Sequence, residues 1–96
     1  MNLQEITTAL EGLSNWGLEG SNALTKQFDF KDFKEALEFV NKISEIAEKS
    51  KHFPNITIRQ HIVILSLTTH ETGEITGKDI NLAKEIDSLT SPLNKI

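Results

Sequence analysis

The chain contains no cysteine, which excludes disulfides and thiolate zinc sites. It also lacks any block of Lys and Arg. Ten basic residues face fourteen acidic ones, for a formal net charge of −4. Phosphate backbones are bound by clustered positive charge, so no direct nucleic-acid partner is expected. No apolar run approaches the ~20 residues of a membrane span. Met1-Asn2-Leu3-Gln4-Glu5 lacks the basic-then-apolar layout of a secretion signal, and cytoplasmic residence is the expectation. Phosphate-cradling glycine loops, nucleophile elbows, zinc motifs, internal repeats and low-complexity segments are all missing. What is present is a chain of 96 residues, 38% apolar and 25% charged, suited to one domain spanning 1–96 with one core.

Leu3, Ile6, Leu10 and Leu13 recur at three- and four-residue steps. They predict a short amphipathic helix, broken at Ser14-Asn15. Trp16 to Glu19 and Ala23 to Phe28 predict two strands joined through the turn signal Gly20-Ser21-Asn22. Asp29 is the candidate N-cap of a long helix. Phe30, Phe33, Leu37, Val40, Ile43 and Ala47 form its apolar face, widened by Ala36, Phe39 and Ile46. Such a helix, over 30–50, is about 30 Å long. One sheet covers one face only, so the surplus apolar edge suits a helix-to-helix contact between subunits.

Pro54-Asn55 stops the helix. Ile56 to Thr69 is rich in β-branched residues but too long for one strand, and a tight turn near Gln60-His61 splits it into an antiparallel pair. Positions 62–67 are apolar on both faces apart from Ser66, which predicts a central strand. Thr76 and Asp79 resemble a capping box that opens a last helix from about Gly77 to Leu89. Its inward residues are Ile80, Leu82, Ala83, Ile86 and Leu89, and Ser91-Pro92 ends it. The order α-β-β-α-β-β-α gives an α+β fold, a four-stranded antiparallel sheet with three helices on one face. The other face is left to solvent or a partner.

The candidate chemistry lies at the two ends of the second strand pair. Histidine exchanges protons near neutral pH. His52 follows the long helix and sits two residues before Pro54, which holds Phe53 extended. His70 follows the last strand. In an antiparallel hairpin those two ends are neighbours, so the topology brings His52 and His70 toward one site. Glu48, one helical turn before His52, either orients that imidazole or is a solvated charge at the helix end. Asp79 reads as a helix cap first, His61 as a turn residue, and Trp16 as core or subunit contact. His52, His70 and Glu71 lack a compact metal-ligand spacing, so no metal site is expected.

These residues carry a resemblance. Glu48-x-x-x-His52-x-Pro54, Thr68-Thr69-His70-Glu71, Gly73, and Thr76 with Asp79 stand in register with the pterin-4a-carbinolamine dehydratases. Lys26-Gln27-Phe28, Phe30-Lys31-Asp32-Phe33 and Asp79-Ile80-Asn81-Leu82-Ala83 are similar to that family too. The resemblance implies dehydration of 4a-hydroxytetrahydropterin to quinonoid dihydropterin, a step in tetrahydrobiopterin recycling. It implies His52 and His70 as catalytic residues, and Lys51, Phe53, Thr68, Thr69 and Glu71 at the pterin. Glu48, Pro54 and Asp79 are supporting. The family's third histidine commonly follows the first directly, and here that position is Phe53. The pterin is substrate, so no cofactor is implied. The resemblance further implies dimers or tetramers built through the long helix and the sheet edge. Relatives also include a transcription cofactor and assembly factors for a carbon-fixing enzyme, which makes a non-catalytic dimerisation or assembly module the alternative.

Overall fold

The computed structural model describes residues 2–13, 15–20 and 22–94. They form α1 (Leu3–Glu11), β1 (Gly17–Glu19), β2 (Ala23–Asp29), α2 (Phe33–Ser50), β3 (Asn55–Arg59), β4 (Ile62–Leu67) and α3 (Gly77–Asn94). This is the expected α+β order. Ser14 and Ser21, assigned to a helix break and a turn, lie outside the described residues.

All strand pairs are antiparallel and the order across the sheet is β1-β2-β4-β3. β4 is therefore central. Its side chains alternate, with Val63, Leu65 and Leu67 fully buried and Ile62, Ile64 and Ser66 half-buried on the opposite face. The buried set meets Leu24 and Phe28 of β2, Ala36, Phe39 and Ile43 of α2, Ile80, Ala83 and Ile86 of α3, and Ile6 of α1 in one core. All three helices thus cover the same face. The β3–β4 turn falls where the long β-rich segment required it, with Gln60 left-handed at φ 57°.

Three local expectations are corrected. Asp29 does not cap α2. It ends β2, paired with Ile62, and the Phe30 amide extends the pairing to His61 O at 2.8 Å. The cap is Asp32, whose carboxylate accepts from the Glu35 amide at 2.9 Å. Strand pairing along β4 offers Asp29 a ladder position, and a helix starting there would forfeit it. Phe30 accordingly precedes α2 and packs under it, its ring centroid 4.9 Å from that of Phe39. Trp16 precedes β1 rather than opening it, and is buried in the core. Finally, α3 runs through Ser91-Pro92 to Asn94. Proline has a helical φ, and the bond it forfeits and the carbonyl it crowds belong to the final turns of the helix.

The outer side of α2 is not covered. Phe33 and Leu37 are 53% and 37% exposed, so the surplus apolar edge is present. Phe53, at 48%, is the exposed aromatic next to His52.

Candidate functional site

The end of α2 aims His52. Lys51 takes a left-handed conformation at φ 57°, and the Lys51 and His52 amides both return to Ala47 O. This satisfies the Ala47 carbonyl and turns the chain out of the helix axis. Pro54 then holds the backbone extended into β3, which begins at Asn55. His52 is left on a short, stiff bridge between α2 and the edge of the sheet.

The start of α3 supplies its partner. Thr76 Oγ1 accepts from the Lys78 amide at 3.2 Å, and Asp79 Oδ2 accepts from the Thr76 amide at 2.9 Å. The capping pair expected from the sequence is therefore formed. Asp79 does more than cap. It is fully buried, Oδ2 also accepts from Thr69 Oγ1 at 2.8 Å, and Oδ1 lies 2.5 Å from His52 Nε2. Thr69 and Thr76 hydroxyls are 2.6 Å apart. One carboxylate thus ties together α2's exit, β4's exit and α3's start.

His70 comes directly after Thr69 in this network. The turn that carries it is closed by Thr69 N to Glu74 O at 3.0 Å and by Gly73 N to Thr69 O at 2.8 Å. Gly73 has φ +70°, a conformation in which side-chain-bearing residues are strained. His70 is exposed. His52 is bonded to Asp79, and His70 is the next residue in the chain after the threonine bonded to the same carboxylate.

The other sequence candidates separate. Glu48 does not orient His52. It is exposed and lies 3.6 Å from Lys51 Nζ, while Asp79 takes the orienting position. Glu71 is exposed and 3.7 Å from Lys78 Nζ. The hydroxyl of Thr68 turns to the opposite face and donates to Asn22 O at 2.6 Å. Thr69 is buried, its hydroxyl committed to Asp79. His61 is exposed in the β3–β4 turn. Sequence reasoning saw Asp79 as a cap and missed it as the partner of His52. The signal was present, because a cap uses one carboxylate oxygen and leaves the second to find a donor.

A second polar cluster lies elsewhere. Asp87 accepts from Trp16 Nε1 at 3.0 Å and from Lys26 Nζ at 2.9 Å, and Lys26 Nζ sits 4.8 Å from the Phe28 ring centre. A cleft of about 680 Å³ adjoins it, lined by Lys26, Phe28, Phe39 and Leu89 among others. None of His52, His70 or Asp79 lines that cleft. The Lys26 ammonium on its wall is already committed to Asp87. The His52 assembly is the one that presents free imidazole chemistry.

The fold and this assembly define a small α+β protein with a carboxylate-held histidine at the exit of a β-hairpin. The profile of the family described as pterin 4 alpha carbinolamine dehydratase matches residues 1–89. The chain belongs to that family. A protein from Thermomicrobium roseum, provisionally named pterin-4-alpha-carbinolamine dehydratase, is 45% identical over 86 residues, covering 90% of this chain and 91% of its own. One from Sulfurisphaera tokodaii with the same provisional name is also 45% identical, at the same coverage. Among solved structures, a Brucella melitensis protein described as a transcriptional coactivator/pterin dehydratase superposes with a TM-score of 0.88 at 31% identity, covering 92% of this chain and 95% of its own. A pterin dehydratase-like protein described as a RuBisCO assembly factor of the alpha-carboxysome shares the fold, with a TM-score of 0.68 at 20% identity, over 79% of this chain and 89% of its own.

Proposed function

We propose that this protein converts a 4a-hydroxytetrahydropterin to quinonoid dihydropterin and water, with His52 and His70 carrying the protons. The observation that carries the reading is the His52–Asp79–Thr69 chain, with His70 next in sequence to Thr69, in a member of this family. In the reaction the N5 lone pair forms the C4a=N5 bond as the C4a–O bond breaks. One group gives the departing hydroxyl a proton, and another takes the N5 proton. Each assisted transfer is worth 10²–10⁴-fold, about 3–5 kcal/mol of barrier. Two imidazoles suffice, with the pterin as substrate and no metal or cofactor called upon.

Phe53 stands where the family commonly has a further histidine. A half-exposed phenyl ring transfers no proton, but it offers a flat apolar wall to a fused heterocycle. Lys51 and Glu71 present exposed side chains. Thr68 would meet the pterin through its backbone, since its hydroxyl is committed elsewhere, while Thr69 would act through its bond to Asp79. In this role the protein would serve tetrahydropterin recycling in the cytoplasm.

Stopped-flow absorbance with chemically generated 4a-hydroxytetrahydropterin tests the reading. The expected result is turnover well above the uncatalysed rate, lost in both His52→Ala and His70→Ala. A rate equal to the uncatalysed one, or unchanged by His70→Ala, would refute it.

The exposed Phe33 and Leu37 favour a second, compatible property: self-association through α2, with the free edge of β3 as a further contact. A non-catalytic assembly role would use those surfaces alone. Light scattering at micromolar concentration is expected to give a dimer or tetramer, and a monomer would end that reading.

A further inference from the structure

The direction of every hydrogen bond around Asp79 can be worked out, and it selects one nitrogen of His52. Thr69 Oγ1 has a single hydrogen and directs it to Asp79 Oδ2. Between Thr69 and Thr76 the donor must then be Thr76. Thr76 Oγ1 in turn accepts from the Lys78 amide. The Thr76 amide, a fixed backbone donor, also points at Asp79 Oδ2. All arrows converge on one carboxylate. A carboxylate that accepts at both oxygens leaves the proton between Oδ1 and His52 on Nε2.

The other ring nitrogen is free. Among the described residues His52 Nδ1 has no hydrogen-bond partner, and none of their buried side-chain nitrogens or oxygens lacks one. Nδ1 is therefore reached by solvent, in a side chain that is 11% exposed.

We infer that Asp79 is a positioning residue that fixes His52 as the Nε2–H tautomer, making Nδ1 the lone pair that takes the substrate proton. The role of Nδ1 as base rests on the dehydratase reading; the tautomer does not. When Nδ1 gains the N5 proton, the imidazolium is held 2.5 Å from a carboxylate already oriented by Thr69 and Thr76. The buried negative charge stabilises the positive charge that forms, as in the serine-protease triad, where an aspartate holds the base histidine in the correct tautomer. His70, exposed, then gives the proton that leaves with the hydroxyl. After release of water and product, His52 is protonated and His70 neutral, and solvent exchange restores both.

Asp79→Asn makes a specific demand on this network. The amide NH₂ cannot face the Thr76 N–H, which is also a donor. The amide oxygen must therefore turn to Thr76 and Thr69, leaving the NH₂ on His52 Nε2. That forces the proton to Nδ1 and removes the free lone pair.

Long-range ¹H–¹⁵N correlation spectra of neutral His52, assigned by its loss in His52→Gln, read the tautomer without substrate. The expected spectrum shows a protonated Nε2 and a bare Nδ1 in the wild type, and the reverse in Asp79→Asn. kcat should fall by about 10²-fold or more in the variant, with KM changed little. A wild-type Nδ1–H tautomer, which is also what a protonated Asp79 would produce, overturns the inference. So does an Asp79→Asn variant whose tautomer inverts while kcat holds. If the wild type shows no turnover at all, the dehydratase reading fails and the base role goes with it, whereas the spectrum alone decides the tautomer.

Discussion

Asp79→Ala separates the structural work of this carboxylate from its chemistry. The side chain is fully buried and accepts from the Thr69 hydroxyl, the Thr76 amide and His52 Nε2. Truncation leaves each donor without its acceptor. The Thr69 and Thr76 hydroxyls can still bond each other, being 2.6 Å apart. The Thr76 amide and the His52 ring have no such recourse within the network. An unsatisfied buried polar group costs about 1–3 kcal/mol, and loss of a helix cap about 1 kcal/mol. These overlap at Thr76, so the expected loss is about 3 kcal/mol. A domain of this size has a total stability of about 5–14 kcal/mol, so the variant should fold but melt early. Asp79→Asn keeps an acceptor for Thr69 and Thr76 and a partner for His52, so its loss should stay near 1 kcal/mol. Urea unfolding followed by Trp16 fluorescence measures both. A loss below about 1 kcal/mol for Asp79→Ala, or equal losses for the two variants, would show that the network does not join α2, β4 and α3 as argued.

Other perturbations follow from the same geometry. Thr69→Val removes a donor from Asp79 and an acceptor from Thr76, and should cost about 1–3 kcal/mol in urea unfolding, whereas Thr69→Ser should cost much less. Ile43→Ala, at a position with no exposure, should cost about 2–5 kcal/mol by the same assay. Phe53→Ala removes the proposed aromatic wall without touching either imidazole. Steady-state kinetics should show KM raised about two- to thirteenfold, with kcat retained, from ~0.5–1.5 kcal/mol of lost ring contact. A collapse of kcat instead would assign Phe53 a part in the chemistry.

The helix at 30–50 shows how local signals compete. Phe30 continues the apolar period of α2, and Asp29 is a good cap type, so composition alone starts the helix there. Pairing of β2 with β4 reaches Asp29 and leaves the cap to Asp32. A ladder bond from a distant strand is not visible in a local window. By contrast, the capping pair Thr76–Asp79 is made between near neighbours, and it was legible without any fold.

The sequence by itself determined the element order and the antiparallel sheet with β4 at its centre. These follow from periodicity, turn chemistry and topology, which act along the chain. Only the tertiary structure decided which carboxylate holds His52. Glu48 is four residues away and Asp79 twenty-seven. The nearer one is exposed beside Lys51, while the farther one is buried where α3 begins. A buried carboxylate must find donors, and those within reach were set by how α3 packs against the ends of α2 and β4. That packing selects the partner of His52, and through it the nitrogen the imidazole presents.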